Sequence, residues 1–413
     1  MGYFCHKSDR FHCEAVSLDT LAERFGTPTY VYSRAAILEN YRRLAAGLSH
    51  IPNLICYSVK ANSSLKVLSL LREAGAGFDI VSGGELARVM RVGADPARIV
   101  FSGVGKTAEE IDAGLSAGIL MFNVESSGEL EVVAARARAL GRPAAISIRV
   151  NPDVVAETHP YISTGQIVHK CGVPKDEAVE LYRRAAPSEW LRIRGVTCHI
   201  GSQILEVEPF LKALDEILEV ALSIRGDAIP VEFLDIGGGF GIPYAGEQPL
   251  ALEALFQGLA ARLHGTPFRL VIEPGRTIVG DAGALLTRVL YVKRNQQKNF
   301  IVVDAGMNDL MRPTLYGSYH QIVPIHRRPA ETLTADVVGP LCETGDFLAQ
   351  DRAMPDVQPG DLLAILTVGA YGYVLASNYN TRPRPAEVLI DGDRAELIRS
   401  RERIEDLMAA EAL

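Results

Sequence analysis

Between residues 54 and 273 the chain repeats one pattern eight times: a short apolar run fit for a strand, then an amphipathic stretch fit for a helix. The runs are Leu54–Val59, Gly77–Val81, Arg98–Phe101, Ile119–Asn123, Ala144–Val150, Arg194–Ile200, Val231–Ile236 and Phe268–Glu273. Regular alternation of this kind leaves two architectures, a (β/α)8 barrel or an open doubly wound sheet. Eight units fit a barrel, which takes about 250 residues. The helical segments carry the expected stripes. In Glu208–Ile224, Phe210, Leu214, Ile217, Leu218 and Ala221 share a face and Pro209 suits the first turn. Upstream, Ser33 is placed to cap a helix whose Ile37, Tyr41, Leu44 and Leu48 also line one face. The connection after the fifth strand, through Asn151–Gly172, is longer than the others, and long loops at the C-terminal face of a barrel are usually functional.

Past residue 278 the pattern changes. Leu290–Lys293 with Phe300–Asp304, and Glu387–Ile390 with Ala395–Ile398 around Asp391-Gly392, read as hairpins, and Ala335–Val338 and Leu362–Val368 add β-rich runs. The fold class is therefore α/β: a (β/α)8 TIM barrel over 30–278, then a second, all-β domain over 279–413. That domain is β-sandwich or β-barrel-like, with the opening residues 1–29 assigned to it.

Composition narrows the function classes. Hydrophobic residues make up 48% and charged residues 22% of the 413, which supports a large buried core and excludes a disordered chain. The net charge of −8 without a basic run argues against a nucleic-acid or anionic-membrane partner. The six cysteines are scattered with no C-x-x-C pair, as in a protein kept reduced in the cytoplasm. Lys7, Asp9 and Arg10 precede any apolar stretch, so no signal peptide is expected, and no apolar run is long enough for a spanning helix.

Several chemically capable residues fall at strand ends. Lys60 follows the first strand, where a lysine points into the mouth of a barrel and a desolvated amine can attack a carbonyl; alone, it is more often a solvated loop residue. Gly237-Gly238-Gly239-Phe240-Gly241 follows the seventh strand. It lacks the G-x-G-x-x-G spacing, but the loops after strands seven and eight are the recurrent phosphate site of such barrels. Glu273-Pro274-Gly275-Arg276 ends the eighth strand and can serve either as an ion pair or as a carboxylate and guanidinium facing a ligand. His199 ends the sixth, with Ser202 close behind as a phosphate donor. Gly103-Val104-Gly105-Lys106-Thr107 resembles the tail of a P-loop, but Val100 stands where its first glycine belongs, so that reading fails. No metal-ligand motif is present. An amine, a phosphate cradle and an acid together suggest pyridoxal phosphate, which needs all three.

The order of motifs then becomes specific. GTPTYVY at 26–32, YSVKAN at 57–62, FDIVSGGEL at 78–86, THPYISTG at 158–165, HIGSQ at 199–203, GGGFG at 237–241 and EPGR at 273–276 are followed by DAGMNDLMRPTLY at 304–316, CETGDF at 342–347, GAYGY at 369–373, SNYN at 377–380 and RPRP at 382–385. Over nearly its whole length the chain resembles the fold-type III pyridoxal-phosphate decarboxylases with an alanine racemase-like barrel, and among them the diaminopimelate decarboxylase family. The resemblance implies that Lys60 carries the cofactor and Asp79 lies close to it, that His199 stacks on the ring and that Glu273 pairs with the pyridine nitrogen. Ser202, Gly238, Gly239, Gly275, Arg276 and Tyr371 would surround the cofactor's phosphate end. Arg276, Arg312 and Tyr316, with Tyr371, would hold the substrate's distal carboxylate. Cys342, a candidate proton donor, and Glu343, a contact for the distal amine, would reach into the partner's active site in a homodimer.

The implied reaction converts meso-diaminopimelate into L-lysine and CO2, the last step of bacterial lysine synthesis. Two departures from the family's pattern stand out: Lys170-Cys171-Gly172 where Lys-Phe-Gly is usual, and Thr344 where serine is usual. A paralogue acting on another, even carrier-bound, amino acid, a racemase-like enzyme and an inactive regulatory homologue are the alternatives. Glu273 speaks against the racemase, and Lys60, Cys342 and Glu343 speak against the inactive homologue.

Overall fold

The computed structural model describes residues 2–154, 170–327 and 331–412; the THPYISTG motif lies outside them. The chain forms two compact units. One comprises Tyr41–Ile242 and Gln248–Thr277, and the other Met1–Asn40, Pro243–Glu247 and Ile278–Leu413.

The first unit is a closed barrel of eight parallel strands: β1 (Asn53–Ser58), β2 (Gly77–Ile80), β3 (Ile99–Phe101), β4 (Met121–Val124), β5 (Ala144–Asn151), β6 (Leu191–Thr197), β7 (Phe233–Asp235) and β8 (Arg269–Ile272). Each pairs with the next and β8 pairs back to β1, so no edge is left. The barrel expected from the alternation is present. The largest displacement is at β6, which begins at Leu191, not Arg194, and ends at Thr197, which puts His199 two residues beyond it. Leu191 and Ile193 are buried while Arg192 is exposed, an alternation that already marks a strand.

Strand parity organises the barrel's interior. Leu54, Cys56, Val100, Met121, Phe233 and Val271 pack together, with Ala145 against them. Two residues beyond Cys56, Gly77, Val100, Met121, Ala145, Gly195, Phe233 and Val271, on the same face, stand Ser58, Asp79, Ser102, Asn123, Ser147, Thr197, Asp235 and Glu273. The interior is thus apolar below and polar at the C-terminal mouth. Outside, Phe210, Leu214, Ile217 and Ala221 of the helix Glu208–Gly226 are buried, as their stripe predicts.

The second unit is β-rich. Its main sheet runs Phe347–Pro355, Thr332–Val338, Asn299–Val303, Gly283–Arg294, Thr29–Ser33, Ala386–Asp391, Arg394–Arg399, and Leu362–Leu366 pairs with Gly283–Arg294 and with Ile322–Pro324. Both expected hairpins are present. The boundary near the start of the chain falls after Asn40 and not at residue 30. Residues 4–17 form a separate three-stranded meander, and Thr29–Ser33, from the range assigned in part to the barrel, sits inside this sheet between two long strands. All five of its residues are buried, so both faces of the strand are covered. Ser33 ends it and caps the helix beyond, accepting from the Ala36 N–H at 3.0 Å. The core here joins Phe11, Leu18, Leu21, Val31, Leu286, Ile325 and Val388, each large side chain contributing about 1.5–3 kcal/mol through burial. Among the described residues no helix is long and apolar enough to cross a membrane.

Candidate active site

Lys60 lies in a single 3-10 turn, Val59–Ala61, directly after β1. Its Nζ is 3.0 Å from Asp79 Oδ2, and its side chain keeps 37% exposure while Asp79 has none. The Ser58 hydroxyl is 2.8 Å from the same oxygen. Asp79 Oδ1 is buried without a hydrogen-bond partner, a costly state for a carboxylate oxygen unless a ligand donor reaches it.

Across the mouth, Glu273 and Asp235 are buried side by side. Asn123 Nδ2 is 3.4 Å from Glu273 Oε1, 3.4 Å from Asp235 Oδ2 and 3.1 Å from Ser102 Oγ. Its orientation is fixed from behind, because Thr197 Oγ1 donates to Asn123 Oδ1 at 3.0 Å. Burial, and then the charges of Asp235 and Asp79, hold the Glu273 carboxyl well above the ordinary range. Burial pushes Asp235 up to about 7, against the opposing pull of the Gly237 N–H. Desolvation and mutual repulsion thus favour a shared proton on the Asp235–Glu273 pair.

The glycine run closes the floor. A Cβ on Gly238 would stand 2.2 Å from the Glu273 carbonyl oxygen, and one on Gly239, at φ +95°, 2.2 Å from that of Gly201. Only glycine lets the backbone pass so close. The loops after β6 and β7 are zipped together: Ile204 N–H donates to Gly239 O and Gly241 N–H to Ile204 O, both at 2.9 Å. Gly238 N–H donates to His199 Nδ1 at 3.2 Å, which places a neutral ring's proton on Nε2. Burial, then Arg149 and Lys60, hold His199 well below its usual value, so it is neutral. Arg276 Nη2 donates to Ser202 Oγ at 2.8 Å. Gly275 packs against Ala61 and Ser58, where a Cβ would meet carbon at 2.9 and 3.1 Å.

The barrel thus brings together Lys60, Asp79, His199, Ser202, Gly238, Gly239, Glu273, Gly275 and Arg276. Arg312, Tyr316, Cys342, Glu343 and Tyr371 belong to the β-rich unit. Arg312 opens the short helix Arg312–Tyr316 and is 5% exposed. Cys342 and Glu343 are exposed on the loop between Thr332–Val338 and Phe347–Pro355. Cys342 N–H donates to Asn380 Oδ1 at 3.2 Å, while Asp346 pins the loop by accepting from Leu341 and Met307 N–H, each at 2.6 Å. Tyr371 is half-buried with φ +56°, a left-handed conformation that a tyrosine adopts at a cost of about 1–3 kcal/mol.

Two residues escaped the sequence reading. Asp235 was hidden in an apolar run, although its place two residues beyond Phe233 puts it on the inward face. Arg149 projects from the end of β5, two residues past Ser147, and its Nη1 is 2.9 Å from the buried Glu125. Glu125 also accepts from Gly103 N–H at 3.1 Å and from Gly172 N–H at 3.0 Å. The departure at Cys171 therefore leaves intact the glycine that anchors this loop. Lys106, from the rejected P-loop, is wholly buried against Glu129 at 2.7 Å and donates to Gly103 O and Asn123 O at 2.8 Å, so it is structural.

Comparison with known proteins decides the family. Residues 34–280 match the model for the pyridoxal binding domain of pyridoxal-dependent decarboxylases. The diaminopimelate decarboxylase of Pseudomonas aeruginosa is 50% identical over 413 residues, spanning 100% of this chain and 99% of that protein, and that of Vibrio cholerae is 46% identical over 415, at 100% and 99%. The chain belongs to the diaminopimelate decarboxylase family of pyridoxal-dependent decarboxylases. A crystal structure of a diaminopimelate decarboxylase from Helicobacter pylori complexed with L-lysine superposes with a TM-score of 0.92 at 43% identity, covering 95% of this chain and 98% of that one. One from M. jannaschii, also with L-lysine, gives 0.94 at 36%, covering 100% and 99%.

The residues present fit the cofactor of a pyridoxal-dependent decarboxylase. The fit rests on an accessible amine beside a buried carboxylate, an orphaned Asp79 oxygen, backbone approaches that a Cβ would fill, and a proton-bearing carboxyl. Those are the groups that an aldehyde, a phosphate and a pyridine nitrogen require.

Proposed function

We propose that this enzyme decarboxylates meso-diaminopimelate to L-lysine and CO2 in the cytoplasm, as the last step of lysine synthesis. The observation that carries the reading is the Lys60–Asp79 pair set in a polar mouth with Glu273 and the glycine run. Pyridoxal phosphate, when bound, supplies the electron sink that accepts the electrons left by departing CO2.

The chain's own residues supply the rest. Lys60 would hold the cofactor and can hold or give up a proton at its Nζ, with Asp79 keeping that amine in place. Glu273 would face the ring nitrogen with its carboxyl, an interaction worth far more in a desolvated site than in water. His199, neutral and held by Gly238, offers a flat face to a ring. Ser202, Gly238, Gly239, Gly275 and Tyr371 receive the phosphate, with Arg276 behind Ser202. Arg312, with Arg276, Tyr316 and Tyr371, holds the distal carboxylate; a planar guanidinium matches it two bonds at once, where lysine's ammonium would not. Such a site rejects ornithine or lysine, which would leave the guanidinium charge without its partner. In a homodimer Cys342 and Glu343 serve the partner's site, Cys342 as proton donor and Glu343 at the distal amine. The barrel unit, Tyr41–Ile242 with Gln248–Thr277, binds the cofactor, and the β-rich unit contributes to site and dimer.

The test is release of CO2 and L-lysine from meso-diaminopimelate by cofactor-loaded protein, with ornithine, arginine and lysine in parallel. Turnover of meso-diaminopimelate alone is expected. Silence on it, with the bound cofactor's visible absorbance intact, would overturn the substrate and keep the cofactor chemistry.

A further inference from the structure

Within the β-rich unit, the Arg312 guanidinium is gripped on three sides. Its Nε donates to His320 Nε2 at 3.3 Å and its Nη2 to Ser318 Oγ at 3.3 Å. The Tyr244 ring lies 5.2 Å beneath its carbon. His320 is wholly buried, and its Nδ1 is 3.0 Å from the Leu366 carbonyl oxygen. A carbonyl can only accept, so Nδ1 carries the ring proton and Nε2 is left as the acceptor that Arg312 requires. Tyr244 meets the same imidazole edge-on, with centroids 5.5 Å apart at 89°. It is supplied by Pro243–Glu247, a segment that follows β7 in sequence but belongs to the β-rich unit, and its N–H is tied to Glu247 at 2.8 Å. From the other side Arg352 Nη1 donates to the His320 carbonyl at 2.9 Å.

A guanidinium can take a carboxylate along its Nε–Nη edge or end-on through its two Nη groups. With Nε–H engaged by His320, the first mode is closed, so a carboxylate is met through the Nη groups, one of which also carries Ser318. We propose that His320, seated by Leu366 and backed by Tyr244, is the positioning residue that sets how Arg312 receives a carboxylate, and so determines specificity for a substrate with a second carboxylate at fixed reach. This rests on the reading of Arg312 as the distal-carboxylate ligand. A guanidinium free to turn would bind the same group with more rotamer entropy to lose and less discrimination of chain length. A protonated imidazole would set N–H against N–H, so the seat exists with the neutral ring.

Steady-state kinetics of the holoenzyme with meso-diaminopimelate test it, using His320→Asn, His320→Gln and Arg312→Ala. Asparagine keeps a donor for the Leu366 carbonyl but has no acceptor that reaches Arg312, whereas glutamine can extend an oxygen to Nε. The expected result is a KM raised roughly tenfold in His320→Asn, a kcat within about twofold of wild type, unchanged visible absorbance of the bound cofactor, and recovery of most of the loss in His320→Gln. Pimelate, a dicarboxylate without amines, should lose inhibitory affinity in parallel. An unchanged KM in His320→Asn while Arg312→Ala raises it overturns the positioning role and leaves the substrate reading standing. An unchanged KM in Arg312→Ala overturns the substrate reading itself. Should His320→Asn fail to fold, Tyr244→Leu removes the stacking face instead, and the same rise in KM without loss of kcat is expected; its absence counts against the seat.

Discussion

Lys60 Nζ and Asp79 Oδ2 stand 3.0 Å apart at the ends of neighbouring parallel strands. The register that makes the pair aligns Ser58 with Asp79. A slip of one residue would turn Asp79 out of the barrel and leave the amine without its carboxylate.

Lys60→Ala is expected to lose turnover below detection, because it removes the nucleophilic amine set at that point. The bound cofactor's visible absorbance should shift to that of the free aldehyde. Near-normal kcat in this variant would remove Lys60 from the chemistry.

Asp235 carries a pH signature. Its carboxyl titrates at about 7 in the folded protein against 3.8 as an ordinary aspartate, so the folded state binds the extra proton between those values. The stabilisation is fully present below about pH 4 and is lost as pH rises through about 7. Urea unfolding of the cofactor-free protein across pH 4–8 should therefore show wild type losing more stability with rising pH than Asp235→Asn. Parallel curves would show that Asp235 takes up no extra proton on folding in this range.

Arg312→Ala should lower kcat/KM for meso-diaminopimelate by about 2–5 kcal/mol of lost binding, roughly 30-fold or more, while cofactor affinity is spared. Titration of the apoprotein with pyridoxal phosphate checks the second half.

Lys106→Met should destabilise the fold by about 3–5 kcal/mol, because it strands buried Glu129 and two carbonyl oxygens. The wild-type protein is expected to show no nucleotide affinity by calorimetry. Tight ATP binding that disappears in the variant would reverse the structural reading of Gly103–Thr107.

Much of the fold was legible from periodicity. The apolar runs at Leu54, Gly77, Val100 and Met121 are local signals, and a parallel barrel forms from local βα units, so the barrel and its order follow from the pattern. Phe347–Pro355 was missed because Gln350, Asp351 and Arg352 interrupt its apolar character, although Leu348, Ala349 and Met354 are buried. Thr29–Ser33 could not be placed from its composition. Its partners, Gly283–Leu286 and Ala386–Ile390, lie far away in sequence, and a choice among distant partners is made by the packing of the whole sheet.

The site divides in the same way. The sequence alone determined which chemical groups exist at strand ends, and strand parity determines that Ser58, Asp79, Asn123, Asp235 and Glu273 share the barrel's inner face. Tertiary structure decided which of them meet. Closure of the barrel puts Asp235 beside Glu273 and so raises both carboxyls; folding of the β-rich unit gives Arg312 an imidazole and a tyrosine to rest against. The reason is physical: identity and facing are properties of a residue and its nearest neighbours in sequence, whereas desolvation and charge coupling depend on groups that only the closed fold brings within a few ångströms.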